Sequence, residues 1–144
     1  MSQLSNLSPM YDELKERYDS LIDTDVAEAF SLMKLASSLQ ASYETELAEL
    51  NRELVKQERK ARAMHAFISR SSSAKVNDGD RNALCDSRVM KEWEQHESIQ
   101  KACRLLEIAI KFISRVYYDC KLVYENCCRA MRDTVKGDML VGHD

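Results

Sequence analysis

The sequence predicts an all-α chain: an elongated antiparallel helical hairpin, coiled-coil in character, assembling into a four-helix bundle. Three observations predict this. Only three glycines and one proline occur in 144 residues, so the chain has few places to reverse. No stretch alternates apolar and polar residues between turn signals, as strands would. From Val89 to Met131, apolar or cysteine residues recur at steps of three and four, through Ile99, Cys103, Leu106, Ile113, Cys120 and Cys127. That spacing keeps one stripe of a helix facing a partner.

Residues 1–7 are polar and read as a disordered leader. Ser8-Pro9 has the form of a helix start, since serine can cap and proline at the first helical position loses no needed hydrogen bond. Tyr11, Leu14, Tyr18 and Leu21 then give a 3-4-3 apolar spacing. The register slips by one residue at Asp23-Thr24-Asp25, where Asp25 and Glu28 can form a capping-box-like pair. With no glycine or proline there, one continuous arm over 8–69 is preferred to a short separate N-terminal helix.

Residues 70–79, with Ser71–Ser73 and Asn77-Asp78-Gly79, favour turn and coil, and Asp78 or Asp80 can cap the second arm. That arm is expected over 80–136, with Gly137 as its stop and 137–144 as a flexible tail. Residues 8–136 thus form a single hairpin domain. A loop centred near residue 75 makes facing residue numbers sum to about 150. That register lays Lys56, Arg59, Lys60 and Arg62 opposite Met90–Glu94, beside the acidic group around Glu92.

Apolar width changes along the hairpin. Near the loop the seams are narrow. Toward the open end they double, with Phe30, Met33 and Leu39 facing a second row of Leu105, Phe112, Val116 and Val123. Asp119 and Asn126 interrupt that second row. Two helices cannot cover two broad faces, so further helices must pack there, from a second copy or another helical protein. Phe30, Met33, Leu105, Phe112, Val116 and Val123 are therefore the expected partner or oligomer interface.

Chemistry-bearing motifs are scarce. The five cysteines form no Cys-x-x-Cys pair, and neither His65 nor His96 sits in a Glu-x-x-His or His-Glu-x-x-His pattern. Cysteines on a helical seam read as small core hydrophobes. Neither a phosphate-cradling glycine loop nor a nucleophile elbow is present. The expectation is a non-enzymatic interaction module, an adaptor or complex subunit with no catalytic residue, cofactor or metal.

The charge is −3 overall but uneven: residues 1–50 hold three Lys/Arg against ten Asp/Glu, and residues 51–75 hold seven against two. Lys56, Arg59, Lys60 and Arg62 form a candidate anionic-ligand patch, giving a membrane-associating crescent-type dimer or a nucleic-acid-binding coil as alternatives. Pairing with the facing glutamates is the simpler reading. Trp93 suits either a binding anchor or a cover for the coil near the loop. Neither a secretory segment nor an apolar run of membrane-spanning length is present, and the odd cysteine count fits a reducing compartment, cytoplasm or nucleus.

Overall fold

A computed structural model describes the backbone of residues 2–72 and 75–141 and the side chains of 8–72 and 75–136. The chain is all-α: α1 (Ser2–Asp19), α2 (Val26–Ser72), α3 (Val76–Cys85) and α4 (Ser87–Val141). The helices group into two compact units. Unit 1 comprises residues 1–44 and 109–144, and unit 2 comprises 45–108. The long helices α2 and α4 contribute to both.

The pairing of α2 with α4 follows the expected antiparallel register. In unit 2, Gln57 and Lys60 both reach Glu92. In unit 1, the Phe30 ring lies against Tyr124, and the Cys127 thiol donates at 3.4 Å to the carbonyl of Asp23, in the turn just before α2. These pairs sum to between 149 and 154.

Several boundaries differ from the sequence reading. The helix begins at Ser2, so residues 2–7 belong to α1 and Ser8-Pro9 lies inside it. No glycine or proline interrupts Ser2–Leu7, and Pro9 removes a single rung of the helix without ending it. The first arm is not continuous. After Asp19 the backbone tightens, with Leu21 N donating to Tyr18 O at 3.1 Å, and then turns, with Asp25 N donating to Ile22 O at 2.9 Å. Asp25 caps α2: its Oδ1 accepts from Glu28 N at 3.0 Å, half of the expected capping box. The Glu28 carboxylate turns away to take Arg17 of α1, at 2.7 and 3.1 Å.

Around the expected loop 70–79, α2 continues to Ser72, and Asn77-Asp78-Gly79 lies within α3. No glycine has positive φ among the described residues. Gly79 is instead a point of close approach. A Cβ there would stand 2.4 Å from the Ser69 carbonyl oxygen, so only glycine lets the two helix backbones meet. The neighbouring Ser69 hydroxyl donates to Asp80 at 2.8 Å, so Asp80 ties α3 to α2 and does not cap. The cap that matters is Asp86, between α3 and α4, whose Oδ1 accepts from Arg88 N at 2.9 Å. The second arm is therefore two helices. At the far end α4 runs through Gly137 to Val141, while the remainder of the expected tail, 142–144, lies outside the described residues, as do Ser73 and Ala74 of the loop.

Unit 1 is a three-helix bundle. Arg17 meets Glu28 and Ser31, and Tyr11 meets Tyr43, so α1 runs antiparallel to α2. Leu14 of α1, Leu32 and Leu39 of α2, and Ile113, Val116 and Cys120 of α4 are completely buried together. Unit 2 is thinner. Its best-defined core is Ile68, Ala83 and Val89, overlaid by Met64 and Trp93.

Candidate interaction surfaces

Each expected interface residue takes a definite place. Phe112 and Val116 are covered from within the chain. The rings of Tyr11 and Tyr18 stand edge-on to Phe112 at 5.8 and 6.0 Å, and Val116 is fully buried. The broad apolar face does require a third helix, but the same chain supplies it. The turn over 20–25 folds α1 back onto the doubled rows, which a continuous arm could not do.

Asp119, read as an interruption of the second row, accepts the Tyr18 hydroxyl at 2.6 Å. A buried-edge polar contact of this kind fixes the register of α1 on α4. The bond to Asp119 pushes the Tyr18 hydroxyl up to about 12, with burial adding to it. Arg17 is likewise held above its ordinary range, chiefly by its bond to Glu28.

Met33 and Val123 are half-buried. Val123 lines a shallow groove with Tyr18, Leu21 and Leu122. Phe30 remains 44% exposed, capped by the Lys34 ammonium 4.7 Å from its centroid. Leu105 is exposed in unit 2, beside exposed Ile108.

The end of α4, part of the expected seam as far as Met131, lies beyond the six interface residues named from sequence. Tyr124, Cys128, Met131 and Val135 are spaced by four, three and four, the spacing of a packed seam. Yet every side chain from Arg129 to Lys136 is exposed, with Met131 at 61% and Val135 at 56%. The signal was present in the row through Met131, but it merges with the apolar pattern that α1 and α2 cover further back.

In unit 2 the basic patch divides. Lys60 pairs with Glu92 at 3.0 Å, and Arg62 pairs with Glu58 of its own helix. The Gln57 amide also donates to Glu92 at 2.8 Å; that bond, and then Lys60, hold the Glu92 carboxyl below its usual range. Lys56 and Arg59 are exposed, with no carboxylate within 4 Å among the described residues. Trp93 covers the core: it packs on the Ile68, Ala83 and Val89 cluster, its ring edge-on to His96 at 5.3 Å.

The cysteines lie apart. Cys103 and Cys120 are buried, and burial pushes both thiols up, that of Cys120 to about 11. Such thiols carry little thiolate at neutral pH. Among the described residues, no group of three or more His, Cys, Asp or Glu side chains is placed to hold a metal ion, and no helix is long and apolar enough to cross a membrane. Comparisons with protein-family models, curated proteins and solved structures find no match to this chain.

Proposed function

We propose that the protein is a non-enzymatic helical interaction module, an adaptor or subunit of a larger assembly. On this reading its main docking surface is the end of α4 with the neighbouring Phe30. The observation that carries the proposal is the row Tyr124, Cys128, Met131 and Val135, which keeps seam spacing although Tyr124, Met131 and Val135 are exposed and Cys128 is only partly covered. An isolated helical segment of this length gains little from propensity alone and is held mainly by packing of its apolar side. A further helix, from a second copy or another protein, would bury this row as α1 buries Phe112. Of the six residues first singled out, Phe30 stays on this surface, with Met33 and Val123 at its margin.

The test is a double replacement, Met131→Glu with Val135→Glu. Both positions are exposed, so the thermal midpoint should stay within a few degrees of wild type. Molar mass across a concentration series, and the proteins co-purified from cells expressing the chain, should change together. An unchanged mass and an unchanged set of co-purified proteins would remove this surface from consideration.

A further inference from the structure

We infer that the chain associates with its own copies through charge: the acidic outer face of α1 in one copy docks on the basic outer face of α2 in another. At about 100° per residue, Arg52, Lys56, Arg59 and Arg70 fall within about 60° of Ala63 around the helix, with Phe67 among them. All are exposed; between residues 52 and 70 no carboxylate shares that arc, Glu53 lying about 80° and Glu58 about 140° from Ala63, while Glu49 lies on it just before Arg52. The face extends roughly 27 Å along α2. Arg52 is engaged by Glu49 at 2.7 Å, whereas Lys56, Arg59 and Arg70 have no carboxylate within 4 Å among the described residues.

The complement is on α1. Asp12, Glu13, Glu16 and Asp19 fall within about 60° of Glu16 and are all exposed, while Lys15 and Arg17 lie outside that arc. Lys15 and Arg17 reach over to Asp12 at 3.4 Å and Glu13 at 3.0 Å, leaving Glu16 and Asp19 without a cation within 4 Å among the described residues. One chain thus carries an acidic helix face on which Glu16 and Asp19 have no cation within 4 Å, and a basic one on which Lys56, Arg59 and Arg70 have no carboxylate within 4 Å, among the described residues.

The centre of the basic face also suits a helix better than a lipid surface. Ala63, Ala66 and Phe67 line a shallow depression with Arg70 and Ser71. Small residues let a second helix approach closely, whereas two alanines and one phenylalanine offer little to insert among acyl chains. Phosphate polymers would meet a chain of net charge −3 with one exposed aromatic ring on this face. The contact joins two different surfaces, so it either closes reciprocally into a dimer or propagates from copy to copy.

This inference rests on reading the chain as an interaction module but not on the apolar end of α4, and salt separates the two. Sedimentation velocity of the full chain at about 20 mM salt should give masses above the 16.6 kDa monomer, falling toward it near 0.5 M. The triple replacement of Lys56→Glu, Arg59→Glu and Arg70→Glu, and separately Glu16→Lys with Asp19→Lys, should each weaken association at low salt about tenfold or more. Circular dichroism checks that helicity is kept, and Lys56→Gln with Arg59→Gln provides a milder version. An equimolar mixture of the two reversed variants should re-associate.

A failure of the mixture to re-associate would overturn the inference. So would wild-type association in the folded basic-face variant. Salt-insensitive association lost only on Met131→Glu with Val135→Glu would place the contact on α4 instead. Monomers that co-sediment with phosphatidylserine-containing vesicles through Lys56 and Arg59 would assign the face to lipid.

Discussion

Units 1 and 2 share the same two long helices and differ in what covers them. In unit 1 the apolar rows are doubled, and α1 lies across them; among the described residues nine apolar side chains are buried there, six of them large and fully enclosed. Among its described residues unit 2 buries six, with only Val89 large and fully enclosed, and it also buries two polar side chains, Glu46 and Glu92. Unit 1 is therefore held by packing. Unit 2 is held by a close backbone crossing, a helix cap and hydrogen bonds to charged groups. The comparison teaches that the width of the apolar stripe, more than the length of a helix, decides how many helices a segment recruits.

The largest test of that contrast is Leu39→Ala. Its side chain is fully buried in the three-helix core, so the replacement should cost about 2–5 kcal/mol in urea unfolding. Gly79→Ala strikes unit 2 at its tightest point, where the new Cβ meets the Ser69 carbonyl. A cost of roughly 1–3 kcal/mol is expected despite the gain in helix propensity. A stabilised variant would show that α3 and α2 can separate cheaply.

Tyr18→Phe removes the bond to Asp119 and should cost about 1–3 kcal/mol, seen as a lower urea midpoint. The same bond predicts alkaline behaviour. The folded-state value is raised above the ordinary 10, so its contribution is complete below pH 10 and lost as pH rises through about 12. Tyr18→Phe should flatten that loss in wild-type-minus-variant melts. The smallest effect is acidic and belongs to unit 2. The bonds from Arg88 hold Asp86 down to about 2, so its contribution is complete above pH 3.8 and lost as pH falls toward 2. Asp86→Asn should reduce that acid sensitivity in circular-dichroism titration.

Much of this architecture was legible in the residues. The three-four spacing and the scarcity of turn residues specified helices, and the charge pattern brought Lys60 to Glu92. The doubled rows correctly demanded another helix. What the rows could not say was whose helix. Tyr11, Leu14, Tyr18 and Leu21 formed an apolar stripe of their own, but a turn without glycine or proline left no punctuation to release it as a separate element. Asp86 was overlooked for a similar reason, since Cys85 and Ser87 beside it give no stop signal. Gly79 reads with Asn77 and Asp78 as a turn signal, yet its role is to lack a side chain, and a single sequence does not distinguish those two uses. The free row on α4 stayed hidden because periodicity records which side chains would pack and is silent on whether a neighbour reaches them.

The buried thiols give each unit its own clock. Cys120 belongs to unit 1 and Cys103 to unit 2, and both are shielded, whereas Cys85 is exposed and Cys127 and Cys128 are partly so. A thiol-reactive probe should therefore label three sites quickly and the other two only when their surroundings open. Mass spectrometry of the two slow sites would time each unit's opening in one unmodified chain. Unit 2, with the thinner core, should release Cys103 first.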